Sequence, residues 1–268
     1  MGVVALGCVR SCGVTTLAAA LAATWPEGRR VLLVELDPAG GTLAAVSGWP
    51  SEPGIVSLAA AVRRRPDPEA VWGHCQHLPG GAAVLAGPAS PEQARSALAL
   101  VAGVIGRLGE LGADVLVDCG RLDPGSPVFT TFTGADQSVL AARPSLGDLH
   151  VLATRLEAHQ PERYELVLVG DGPYPPAEVA DALSVPVLGT LPWDPPGTVA
   201  AVAEAVSHRG LARSPLLRAA RTLAERLTNP VPSERSGDGQ PPREHSVAEA
   251  PSDALSPHRP AMPVEAGP

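Results

Sequence analysis

The stretch Gly2 to Ala22, GVVALGCVRSCGVTTLAAALA, permits few folds: a short apolar run, a turn of small residues, then an alanine- and leucine-rich segment of helical length. An apolar run without polar alternation reads as a strand covered on both faces, and a strand passing directly into a helix is the opening unit of a parallel sheet. The turn between them sets backbone N–H groups and a helix N-terminus where they can cradle an anion, as in a phosphate-binding loop. Laid on G-x-x-x-x-G-K-[ST], the segment reads Cys8, Val9, Arg10, Ser11, Cys12, Gly13, Val14, Thr15. Cys8 replaces the first glycine and Val14 the lysine, while Gly13, Thr15 and Thr16 remain.

The pattern repeats along the chain. Val31 to Leu36 is apolar but for Glu35 and ends in Asp37, Pro38, Ala39, Gly40, Gly41. Ala82 to Ala86, Asp114 to Asp118, Gln137 to Ala142, Glu165 to Val169 and Val185 to Leu188 read as further strands. Helices are expected over Val14–Thr24, Ile55–Arg64, a long segment opened by Ser90, Pro91 and Gln93, Pro144–Glu157, Ala177–Leu183, Val199–Ser207 and Pro215–Leu227. This alternation predicts an α/β fold, a doubly wound and mostly parallel sheet over residues 1–228. From Asn229 onward Pro, Ser, Glu, Asp and Gly dominate and apolar residues stand singly, so 229–268 is expected to be a disordered, Pro-rich acidic tail.

Composition removes several function classes. A net charge of −8 with 3% aromatics offers no basic stripe, so direct nucleic-acid contact is not expected. Arg63, Arg64 and Arg65 read as complements to a helix dipole. Leu216, Leu223 and Leu227 make a narrow apolar stripe, expected to pack on the domain and not on a membrane. The chain shows no run of about 18 apolar residues and no basic, apolar export signal at its start, so no transmembrane segment and a cytoplasmic location are expected. All 20 basic residues are arginine. Without lysine, charge compensation at a phosphate must come from Arg, a metal or a partner chain. Cys8, Cys12 and Cys119 sit where strands meet ligand-edge loops; they could serve a metal or a redox switch, but small residues are needed there in any case. The segment His74-Cys75-Gln76-His77 reads as a surface loop, since a zinc site would lack its other half.

Three elements therefore converge on one edge of the sheet: the loop ending in Gly13–Thr16, Asp37 and Asp118. Such a loop holds phosphates, a hydroxyl at Thr15 can bind Mg²⁺, one strand-end aspartate can hold a metal-bound water and a second can orient an attacking water. The segments VRSCGVTT (Val9–Thr16), ELDPAGG (Glu35–Gly41), AARPSLGD (Ala141–Asp148) and GTLPWD (Gly189–Asp194) resemble the MinD/ParA family of deviant Walker ATPases, most of all an actinobacterial MinD-like and TadZ/CpaE-like branch, over about Met1 to Leu227. That resemblance implies an ATP-sandwich homodimer that places or regulates a chromosome, a secretion or pilus machine, or a division site through a protein partner. It implies nucleotide contacts from Arg10, Ser11, Cys12, Gly13, Val14, Thr15 and Thr16, with Asp171 and Pro173 at the base. It further implies Mg²⁺ at Thr15 and, through water, at Asp118, with Asp37 as the water-positioning residue. Both lysine positions of the family fall on valine, Val9 and Val14. Weak ATP binding and slow or absent hydrolysis follow as the expectation. Two alternatives stand beside it: a nucleotide-free pseudo-ATPase scaffold, and an active slow ATPase in which Arg10 substitutes for the missing cation.

Overall fold

In the computed structural model, which describes residues 2–62, 67–123, 125–157, 164–203 and 206–229, strand follows helix nearly throughout. β1 (Val3–Cys8) leads into α1 (Val14–Ala23), and β2 (Val31–Glu35) into the single turn α2 (Leu43–Val46) and α3 (Ile55–Val62). A 3-10 segment, Pro68–His74, precedes β3 (Gln76–His77) and β4 (Ala83–Leu85). Next come α4 (Pro91–Ile105), β5 (Asp114–Arg121), α5 (Phe129–Gly134), β6 (Gln137–Ala142) and α6 (Leu146–Glu157). The described chain closes with β7 (Tyr164–Val169), α7 (Pro176–Leu183), β8 (Val187–Leu191), α8 (Pro195–Ala203), α9 (His208–Arg213) and α10 (Pro215–Thr228).

The eight strands form one sheet in the order β3-β4-β2-β5-β1-β6-β7-β8, parallel except for the β3–β4 pair. β1 lies between β5 and β6, and its residues enter both cores, Ala5 one and Val4, Leu6 and Cys8 the other; with both faces covered its sequence is unbroken and apolar. One apolar core, with Leu58, Val101, Phe132, Leu152 and Val179, fills the side of α3 to α7. The other, with Leu17, Leu21, Val202, Leu217 and Leu223, fills the side of α1, α8 and α10. Leu216, Leu223 and Leu227 are all buried, so the apolar stripe of α10 packs on the domain. No described helix is long and apolar enough to cross a membrane.

Several element boundaries differ from expectation for local reasons. β8 begins at Val187, not Val185: Pro186 has no N–H to donate, though its carbonyl accepts from Leu166 at 2.8 Å, and Ser184 is left-handed at φ 54°. The helix expected over Val199–Ser207 starts earlier, at Pro195, because the Asp194 carboxylate accepts from the Gly197 N–H at 3.1 Å. It is followed by the separate α9, capped by Ser207. The segment 74–77 is not a plain surface loop: Gln76 and His77 form an antiparallel edge strand, and His74 Nδ1 pairs with the Ser57 hydroxyl at 2.8 Å. Arg63–Arg65 and the tail from residue 230 onward lie outside the described residues.

The edge of the sheet opposite the loops is fastened by one network. Asp114, at the start of β5, receives Arg29 Nη2 at 2.8 Å and the Trp25 indole N–H at 2.9 Å. Burial raises its pKa, but Arg29 and Trp25 outweigh it, so the carboxyl sits below its ordinary range. A depressed carboxyl contributes stability above its unfolded pKa and loses it as pH falls through the folded one. Asp114→Ala, which orphans the Trp25 N–H, is expected to cost about 2 kcal/mol at pH 7. Urea melts should show that deficit shrinking at acid pH, where the parent loses the same contribution.

Candidate nucleotide site

Gly13 sits at φ 99°, a left-handed conformation open to glycine, and the chain turns there from the loop into α1. The first intrahelical bond runs from Leu17 N–H to the Gly13 carbonyl at 3.0 Å. The N–H groups of Val14, Thr15 and Thr16 have no partner among the described residues, and α1 carries neither a capping side chain nor an acid in its first turn. That leaves the positive end of the helix available to an anion.

The side chains of the loop tell a different story. Val9 packs against the core on the α5–α6 side, while Cys12 and Val14 are buried in the opposite core, with Leu17 and Val169. The two positions at which the resemblance implied a lysine thus carry apolar groups, Val9 half-buried and Val14 buried. Arg10, the cation of the loop itself, pairs with Asp148 on α6 at 3.2 Å. The Cys12 thiol bonds Cys8; that bond and burial push its pKa far up, so it stays a neutral thiol. Cys8 Sγ in turn lies 3.5 Å from the Gly120 carbonyl.

The carboxylates gather beside the loop. In the strand register Asp118 lies between Leu6 of β1 and Glu35 of β2. Asp118 does not end its strand, as its sequence implied: β5 runs on to Arg121 through a register shift, with Gly120 at φ 60°. Asp118 is fully buried; Oδ1 accepts from the Gly120 N–H at 2.9 Å, and Oδ2 has no partner among the described residues. Burial pushes its pKa up to about 7, against the pull of the Thr15 hydroxyl and the Gly120 N–H and with the push of Glu35 and Asp37. Asp37 is half-buried, its Oδ1 accepting from the Ala39 N–H at 2.8 Å, and burial raises its pKa also. Its carboxyl lies so close to the Gly120 backbone that a Cβ on that glycine would collide with it.

Glu35 has a role that its sequence position did not reveal. One carboxylate oxygen accepts from the N–H groups of Thr42 at 2.7 Å and Leu43 at 3.1 Å; the other accepts from Gly87 at 2.9 Å. It fastens the loop carrying Asp37 to the end of β4. Its single signal was a charge inside an apolar strand, where a carboxylate survives only with partners. Burial pushes its pKa up, against those three bonds. Gly41 is needed because any Cβ there would strike Glu35 Oε2.

Thr15, Asp118 and Asp37 are therefore brought together, and Arg10, largely exposed, is paired with Asp148. Asp171 and Pro173 remain exposed on the loop after β7, the loop resting on Pro144 through Gly172. The residues divide when tested against ATP and Mg²⁺. The unpartnered amides of α1 fit a phosphate, and the buried, unpartnered Asp118 Oδ2 beside Thr15 fits a hydrated cation. Val9 and Val14 supply no charge.

No protein-family model matches the chain, and no curated protein matches it in sequence. Solved structures do. A ParA family ATPase from Chlorobium tepidum TLS superposes with a TM-score of 0.69 at 18% identity, over 84% of this chain and 98% of that one. The septum site-determining protein MinD complexed with Mg-ADP from Pyrococcus horikoshii OT3 gives 0.65 at 21%, over 85% and 96%. The MinC:MinD cell division protein complex of Aquifex aeolicus gives 0.58 at 16%, over 88% and 99%. At these identities the shared property is the fold, and the chain has the α/β fold of MinD and ParA ATPases.

Proposed function

We propose that this chain, built on the fold of partition and division ATPases, is a MinD/ParA-like nucleotide switch that binds ATP and Mg²⁺ weakly and hydrolyses ATP slowly or not at all. It acts in the spatial organisation or regulation of a chromosome, a secretion or pilus machine, or a division site. Residues 1–228 form the switch and 229–268 an appended tail; the working state is a cytoplasmic homodimer with a protein partner. The observation that carries the reading is the unpartnered Asp118 Oδ2, buried beside Thr15 under the free amides of α1.

In this reading the backbone from Ser11 to Thr16 binds the phosphates and Thr15 Oγ1 takes the cation, with Asp118 holding one of its waters. The cation, when bound, neutralises phosphate charge. Asp37 orients the attacking water if hydrolysis occurs, and Asp171 and Pro173 face the base. Arg10 contributes only by leaving Asp148. Each lost charge-assisted bond weakens binding by about ten-fold or more.

Calorimetric titration with ATP and Mg²⁺, with phosphate release followed in parallel, tests this. Saturable binding is expected, weakened about ten-fold or more by Thr15→Ala. No heat at millimolar ATP would sink the switch. The burial of Val14 and the Arg10–Asp148 pair favour a second reading, a scaffold without nucleotide, in which dimerisation ignores ATP and Asp37→Ala leaves partner binding intact.

A further inference from the structure

Beneath Val9, on the side of the loop away from α1, lies a cavity of about 190 Å³ that the nucleotide reading does not use. Its walls are almost wholly apolar and include the rings of Phe129, Phe132 and Tyr164. Phe132 and Tyr164 stack with centroids 5.6 Å apart. Among the described residues of its lining Arg155, near the end of α6, is the one that carries a charge. That guanidinium is loosely held: Asp123 lies 3.9 Å from Arg155 but 3.0 Å from Arg121, so Asp123 keeps a cation if Arg155 turns away.

We propose that this cavity is a binding site for a small aromatic or branched aliphatic monocarboxylate, its apolar body among the rings and its carboxylate on Arg155. Size supports the assignment, for an apolar cavity of about 150 Å³ takes up benzene, and the further space here accommodates one carboxylate. Charge supports it as well. Arg offers a planar fork that matches a carboxylate, and its pairing strengthens where apolar walls exclude water. Because Val9 forms part of the wall, an occupant would brace the first turn of the phosphate loop.

The test needs no nucleotide and so stands or falls apart from the switch reading. The full chain is titrated by calorimetry with benzoate and with benzyl alcohol, its uncharged counterpart. Saturable benzoate binding is expected, tighter than that of benzyl alcohol. Arg155→Gln should weaken benzoate about ten-fold or more and leave benzyl alcohol unchanged. Leu156→Phe, which fills the cavity from its wall, should exclude both, with a thermal melt confirming that the variant is folded. No saturable benzoate binding at millimolar ligand would overturn the proposal. So would benzoate binding that does not exceed benzyl alcohol, is undiminished by Arg155→Gln, or survives Leu156→Phe.

Discussion

Asp118→Asn should make the protein without nucleotide more stable, by up to about 4 kcal/mol at pH 8. The carboxyl titrates near 7 in the fold, raised by burial from an ordinary value of 3.8. The sign follows from linkage: a group with a raised folded pKa contributes its stability below the unfolded pKa and loses it as pH climbs through the folded one. The parent therefore weakens steadily between about pH 4 and pH 7 on account of this residue, and the uncharged variant does not. Thermal melts of the two proteins should coincide near pH 4, separate progressively up to about pH 7 and keep a constant gap above it. Asparagine can still accept from the Gly120 N–H, so the local fold is kept. With Mg²⁺ and ATP the ranking should invert, because the cation needs the charge that folding disfavours. Equal melts across the pH range would mean that burial does not raise the pKa of Asp118.

Glu35→Ala should have an effect of similar size in the opposite direction. Removing the carboxylate orphans the N–H groups of Thr42, Leu43 and Gly87 at once, at about 1–3 kcal/mol each, or roughly 3–9 kcal/mol together if all three stay buried. Glu35→Gln should cost less, since its carbonyl keeps one partner set and the burial of a charge is relieved. Urea unfolding of the three proteins measures the order. A Glu35→Ala loss below about 1 kcal/mol would show that water replaces the carboxylate and that the Asp37 loop is not fastened in this way.

Why was the Asp37 carboxylate legible in the sequence when its anchor was not? Asp37 ends an apolar run and precedes a glycine pair, both local signals. Glu35 finds Gly87 just beyond β4, 52 residues away, and nothing local announces that bond. The apolar strands were likewise visible, because burial on both faces forces continuous runs, whereas the two-residue β3 has no period to detect. Arg10 shows the same limit. Its place in the loop was plain, but its pairing with Asp148 depends on β6 lying beside β1.

The valines of the loop carry one more consequence. Val9 belongs to the core on one side of the sheet and Val14 to the core on the other. Val14 is buried there, whereas Val9 is half-buried against its core. A lysine at position 14 would have to run its stem out of the core that also holds Leu17, Val169 and Leu191, or leave its ammonium there as an unpaired buried charge. Packing alone therefore favours an apolar side chain at position 14, whatever the loop binds.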